Sequence, residues 1–410
     1  MKPLLKISMT FMGSASMMLL ALSPLQSQTE QAGSSTEAQA TPAPAGFDNL
    51  TNGLVSQTVF KKNLDIFAEQ EGIEEGLGPV FNARGCADCH ASPVIGGASQ
   101  ITEFRAAKMN GGYYEEHPGG TLIHDRAVDP SIQERLMEGY EIRAQRVSPS
   151  VLGDGYVEAI ADATLEAIAN AQPASMRGYI LRVPVLEANN ALRIGRFGWK
   201  NQHASLESFS ADAYLNEMGI TTPVLPTENT SNGNPVYDYD SVADPEDDGA
   251  DVRIFAEFMR ATKVPPRDEA LAATAAAQSG EQIFKQVGCV TCHVASIVTA
   301  PTGETINGGA FTVPPALGNK RIHPFSDFLL HDVGTGDGII QGTDPATRNR
   351  IRTAPLWGLR TRTRLMHDGQ SPNPVDAVLR HRNEAQTAIR AFRTLSSSQL
   401  SDLLTFLNSL

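Results

Sequence analysis

The chain has 410 residues, 41% of them hydrophobic, and a formal net charge of −13. That length allows two or three domains with cores of their own, and the acidic balance argues against nucleic acid and anionic membrane surfaces as partners. It is compatible with a basic redox partner.

The N-terminus reads as a signal peptide over residues 1–27. Lys2 and Lys6 form a positive n-region, an apolar h-region runs from Ile7 to Leu22, and small or polar residues follow near Ser27. The apolar stretch is too short, and too often interrupted by Ser, Gly and Thr, to predict a membrane span. No stable membrane insertion is therefore expected, and no cysteine follows that would make the chain a lipoprotein. Its removal deletes two lysines and moves the charge from −13 to −15. The expected location is periplasmic. Residues 28–46, rich in Gln, Ser, Thr, Ala and Pro, form an expected disordered linker that cannot bury enough apolar surface to fold.

Two Cys-x-x-Cys-His motifs follow, and they use all four cysteines of the chain: Cys86, Cys89 and His90 in GCADCH, and Cys289, Cys292 and His293 in GCVTCH. This is the c-type haem attachment signature. The thiols add across the porphyrin vinyl groups and the adjacent histidine supplies the proximal nitrogen. Two covalently bound haem c groups are the cofactors expected. A thioredoxin-like pair needs a βαβ context that neither motif has. Disulfides within the motifs leave both histidines unexplained, and a four-Cys zinc site needs the pairs to converge from about 200 residues apart.

Each motif is preceded by Phe-x-x-x-Gly, Phe81 to Gly85 and Phe284 to Gly288, which predicts a helix ending at a glycine before each attachment site. An amphipathic helix is predicted over Ala163 to Ala171 and a short strand over Tyr179 to Val183. Residues 221–251 hold Asp238, Asp240, Asp244, Glu246, Asp247, Asp248 and Asp251. They read as a solvated interdomain linker. Calcium is the alternative, since it takes several oxygen ligands, although the spacing matches no EF-hand. At the C-terminus Ser396 to Gln399 is a capping box, followed by Leu400, Leu403, Leu404 and Leu407 on one helical stripe. The fold expected is mainly α, with two cytochrome c-like haem domains, 47–220 and 252–410, and irregular loop-rich insertions.

From the second motif onward the chain resembles the bacterial di-haem cytochrome c peroxidase superfamily. The resemblance rests on Phe325-Ser326-Asp327 through His331, on Ala354-Pro355-Leu356-Trp357 and on His367-Asp368-Gly369. It is closer to the di-haem oxidoreductase family, described as peroxidase-like or as "thiol oxidoreductases". GLGPVFN at 76–82, GRFGWK at 195–200, PFSDFLLHDVG at 324–334, RTAPLWGL at 352–359 and LMHDG at 365–369 carry that likeness.

The resemblance implies a distal ligand for the second haem fourteen residues after His367, at His381, in a segment with helical pattern; Met366 is the alternative. It places His367 in that haem's pocket, where His331 could orient a propionate or bridge the two domains. For the first haem it fixes no distal ligand. His117 and His124, in a Gly-rich loop, are candidates, and an open iron is another. Glu158 is the acid/base candidate and Trp199 a candidate for electron transfer between the haems. Arg196, Lys200 and Arg352 are candidates for pairing with propionates, where a guanidinium offers a bidentate fork.

The function implied is that of a periplasmic, peroxidase-like di-haem c oxidoreductase. Its N-terminal haem would meet peroxide or substrate and its C-terminal haem would relay electrons. The alternatives are a di-haem c-type electron-transfer cytochrome without peroxidase activity, and an oxidase acting on a protein or small molecule. The partners expected are a small cytochrome c or cupredoxin as electron-transfer protein, hydrogen peroxide or another small oxidant, and, by likeness to superfamily dimers, a homodimer.

Overall fold

The computed structural model describes residues 40–410. The signal peptide expected over 1–27 and most of the linker expected over 28–46 lie outside the described residues. The end of that linker is ordered: Thr41–Pro42 pairs in parallel with Lys320–Arg321, and Ala45 bridges Val264.

The expectation of a mainly α chain is corrected. The fold is mixed α and β, 34% helix and 17% strand, with many small sheets. The largest centres on Thr102–Asn110, which pairs antiparallel with Tyr113–Glu116, Leu122–Ile123 and Ile142–Val147. Asn110 sits opposite Tyr113, so Gly111 and Gly112 alone make the turn, both at positive φ. A two-residue loop with positive φ at both positions matches the right-handed twist of the flanking strands, and glycine meets it without strain. This Gly-Gly hairpin signal is what the helical expectation passed over.

The two modules are built differently around their motifs. Ala275–Val287 is a helix that ends at Gly288 in the left-handed conformation, as expected before the second motif. Among the described residues no helix leads directly into the first motif. Val80–Phe81 is a short strand paired with Arg126–Ala127. Gly76, Gly78 and Pro79 interrupt any helical path there, because the glycines sit at positive φ and Pro79 lacks the donor. Helix Gln57–Phe67 ends well upstream.

Helix Ala250–Ala261 packs Phe255 and Phe258 against Phe67, at ring distances of 6.1 and 4.6 Å. It therefore serves the N-terminal module, although it lies in the stretch assigned from sequence to the C-terminal one. One core runs from these rings through Tyr156, Ile160 and Ile194 to Ile297, Ile322 and Phe328, so the modules share it. Each phenylalanine so buried contributes about 1.5–3 kcal/mol.

The second core lies between Ala275–Val287 and the terminal helix Ser397–Leu407, around Phe284, Leu403 and Phe406. Ser396 caps the terminal helix and Gln399 closes the box, as its sequence predicts. The helices cross closely at Gly280, where a Cβ would lie 2.0 Å from the Asp402 carbonyl oxygen.

Candidate active site: two cavities with a shared wall

Each Cys-x-x-Cys-His motif lines its own cavity. Cys86, Cys89 and His90 open onto one of about 730 Å³, and Cys289, Cys292 and His293 onto one of about 520 Å³. Both lie in the range of cofactor sites. The cysteine pairs never converge, which removes a four-Cys zinc site, and all four thiols are free. Burial keeps them protonated: Cys86 and Cys289 are pushed up to about 12 and Cys89 to about 11. The local frames match, because the His90 amide donates to the Cys86 carbonyl (3.0 Å) and the His293 amide to the Cys289 carbonyl (2.9 Å).

The C-terminal cavity fits a haem on three observations. His293 Nδ1 lies 2.8 Å from the Phe325 carbonyl oxygen and His381 Nδ1 2.8 Å from that of Ala377. Such a bond fixes the tautomer and leaves Nε2 as the metal-binding nitrogen. Burial, and after it the neighbouring His381, hold His293 down at about 4, so it is a neutral imidazole. His381 caps helix Pro374–Arg380 and lines the same cavity; Met366 lines it too. The third observation concerns anions. Arg352 and Arg362 also line this cavity, and neither has an ion pair within 4 Å among the described residues. Burial lowers both, Arg362 to about 10, and guanidiniums left so await the carboxylates that haem propionates provide.

His331 lines this cavity as well. Its Nε2 lies 2.9 Å from Asp327 and its Nδ1 2.7 Å from Glu384, with Cys292 Sγ at 3.7 Å. Burial alone would lower it, but those bonds raise it to about 12, so it stays cationic.

In the N-terminal cavity His90 stands 6.3 Å from the Phe67 ring, on an apolar wall with Phe255 and Met259. Its Nδ1 is buried and makes no well-directed hydrogen bond, although the Pro149 carbonyl lies near enough to bias its charge. Among the described residues no second histidine lines this cavity.

A charged wall of Glu103, Arg105, Asp212 and Glu217 completes the N-terminal cavity. Glu103 and Arg105 are two apart on a strand, so they share a face, and pair at 2.7 Å. Glu217 comes from the single π-helical turn Tyr214–Met218 and accepts from Asn82 Nδ2 at 2.9 Å. Burial, and next the Glu103 carboxylate, push Glu217 up to about 7.

Trp199 lines both cavities, with Val147, Ser148 and Pro149. Its indole N–H donates to the Val147 carbonyl at 2.7 Å, and its ring meets His367 edge-on at 6.1 Å. His367 lines the C-terminal cavity, as the resemblance implies.

Five candidates sit elsewhere. Glu158 is 0% exposed and lines neither cavity. Arg260 grips it at 2.6 and 2.9 Å, and the Leu206 amide and Asn307 donate to it, so it is a structural bolt held below the usual carboxylate range. Arg196 is sealed by Asp162 and the Ile160 and Ile194 carbonyls, away from both cavities. His124 bonds Glu134 (2.8 Å) and the Asn216 carbonyl (3.0 Å) through its two ring nitrogens. His117 accepts from the Met137 amide through Nε2 and packs on Tyr140. Neither histidine lines a cavity. Lys200 is likewise committed, to Asp337 at 3.1 Å and to the Thr347, Arg348 and Arg350 carbonyls.

A family model described as "Di-haem oxidoreductase, putative peroxidase" matches residues 123–410, a span that begins after the first motif and includes the second. No curated protein matches the chain. Among solved structures, the chain is similar to the hydrazine synthase of Kuenenia stuttgartiensis, at 15% identity and a TM-score of 0.41, over 98% of this chain and 100% of that one. It is similar too to a MauG-like protein associated with microbial copper homeostasis, at 14% identity and a TM-score of 0.40, over 91% and 93%.

Proposed function

The chain belongs to the di-haem oxidoreductase family, and on that premise we propose that it is an exported peroxidase carrying two covalently attached haems c. The haems take unequal roles: the N-terminal one meets hydrogen peroxide or another small oxidant, and the C-terminal one relays electrons. The observation that carries this reading is the pair of cavities, one per motif, sharing a wall at Trp199.

When bound, a haem supplies a redox-active iron whose behaviour is set by its axial ligands and surroundings. Cys86 and Cys89 would hold one by thioether bonds with His90 as proximal ligand, and Cys289, Cys292 and His293 the other. His381 would complete the coordination in the C-terminal cavity, suiting it to electron relay. Arg352 and Arg362 would receive propionates.

The chemistry left to the protein is proton handling. Peroxide reduction consumes two electrons and two protons and releases two waters. Glu217 is placed to take a proton from one peroxide oxygen and return it to the other, which leaves as water. Its position at about 7 suits a group that must gain and lose a proton near neutrality. Arg105 offers a fixed positive charge to the developing negative charge. Trp199 would carry electrons across the shared wall. The donor is a small cytochrome c or cupredoxin with a basic face, which the −13 chain would attract.

Export fits this chemistry, since haem c is attached outside the cytoplasm. The mature chain isolated from a secreting host is expected to weigh two haem masses more than its polypeptide, and to oxidise a reduced small cytochrome c on addition of peroxide. Bare thiols, or two low-spin haems that ignore peroxide, would refute it. Trp199→Phe is expected to slow electron transfer between the haems at least tenfold while both spectra are retained, read by stopped-flow reduction of the N-terminal haem. An unchanged rate removes Trp199 from the route.

A further inference from the structure

The acidic stretch after the N-terminal cavity folds back on itself, so that one oxygen each from Glu228, Asp244 and Glu246 lies within 4.8 Å of the other two. Glu228 is 7% exposed, and both its carboxylate oxygens are buried without a hydrogen-bond partner. Oε1 of Glu246 is also buried and unpartnered, while its Oε2 accepts from the Thr221 amide at 2.8 Å and hydroxyl at 2.5 Å. The same hydroxyl lies 3.2 Å from Asp244 Oδ1. Among the described residues no Lys, Arg or His makes an ion pair with any of the three.

Three converging carboxylates without a counter-charge repel one another, and an unpaired buried carboxylate is costly. A proton could remove one charge, but a protonated Glu228 would donate its O–H to a carboxylate within reach, and neither Glu228 oxygen has such a bond. The three converging ligand atoms are all hard carboxylate oxygens. Asp244 is exposed, so water can complete a shell of six to eight ligands.

We propose that Glu228, Asp244 and Glu246 bind one divalent cation of the calcium class. The cation clamps the 221–247 segment against the loop that precedes the first attachment motif. Glu246 already packs there: a Cβ on Gly76 would lie 2.7 Å from Glu246 Cγ. Thr221, which holds Glu246, follows closely on the turn bearing Glu217. The site is independent of haem chemistry, so its test is too.

The full-length holoprotein, treated with chelator and dialysed, is titrated calorimetrically with calcium chloride and melted with and without it. One calcium is expected to bind with a Kd on the order of 10⁻⁴ M or tighter, raising Tm by roughly 3 °C at 100-fold excess over Kd. Potassium chloride at equal ionic strength should do neither. Glu228→Gln supplies the second arm. It removes a ligand and a repelling charge together, so it should bind calcium at least tenfold more weakly, yet in chelator melt at or above the wild type. The proposal falls if calcium gives no binding heat and no more Tm shift than potassium chloride. It falls equally if Glu228→Gln melts below the wild type in chelator while responding to calcium as the wild type does.

Discussion

Glu217→Gln is expected to lower kcat/KM for hydrogen peroxide by about 10²–10⁴-fold, the usual contribution of a positioned acid/base group, while both haems remain bound. Glutamine keeps the shape and can still accept from Asn82, which bonds the side chain at 2.9 Å, but it cannot carry a proton between oxygens. The wild-type pH profile should show the same group. Burial and the Glu103 carboxylate raise Glu217 to about 7. Taking a proton from peroxide needs the carboxylate form, so kcat/KM should fall as pH drops below about 7, and Glu217→Gln should flatten that limb.

The effect on stability has the opposite sense. A carboxyl raised from its ordinary value of 4.5 binds its proton more tightly in the folded chain. Its contribution to stability is therefore fully present below about 4.5 and lost as pH rises through about 7. A merely structural Glu217 would change the melting profile on substitution and leave the kinetic limb in place.

Legibility in the sequence followed the distance over which the chemistry is assembled. Each attachment motif is contiguous, so its thiols and imidazole reach one cavity by local geometry alone. The terminal helix was equally readable, since its cap, box and apolar stripe all lie within 396–407. Glu158 failed as the acid/base candidate because its partner Arg260 is 102 residues away, and that pairing makes it a bolt. Glu217 was passed over for the converse reason. In sequence it is one acid in an apolar turn, and only the fold brings Glu103, Arg105 and a cavity to it. The mixed α/β character was hidden because most strands are two to four residues long, too short for a period-two pattern to emerge. The Gly111–Gly112 hairpin was the one strong local signal for the sheet.

His381→Ala is expected to convert the C-terminal haem, and not the N-terminal one, from a low-spin to a high-spin spectrum, with added imidazole restoring the low-spin form. The reasoning rests on how the ring is held. Its Nδ1 is tied to the Ala377 carbonyl at the end of helix Pro374–Arg380, which commits Nε2 to the cavity it shares with His293. His381 is the residue after the helix, with an extended backbone that alanine also adopts, so the substitution removes the ring with little effect on the backbone. Loss of the spectrum can then be separated from loss of fold. Imidazole rescue requires both a space of the right shape and a metal to fill it, a result that a surface histidine would not produce. Met366→Leu is the control, since Met366 lines the same cavity. If that variant turns high-spin while His381→Ala stays low-spin, the distal ligand is the thioether and the relay haem would sit at a higher potential than a bis-histidine site allows.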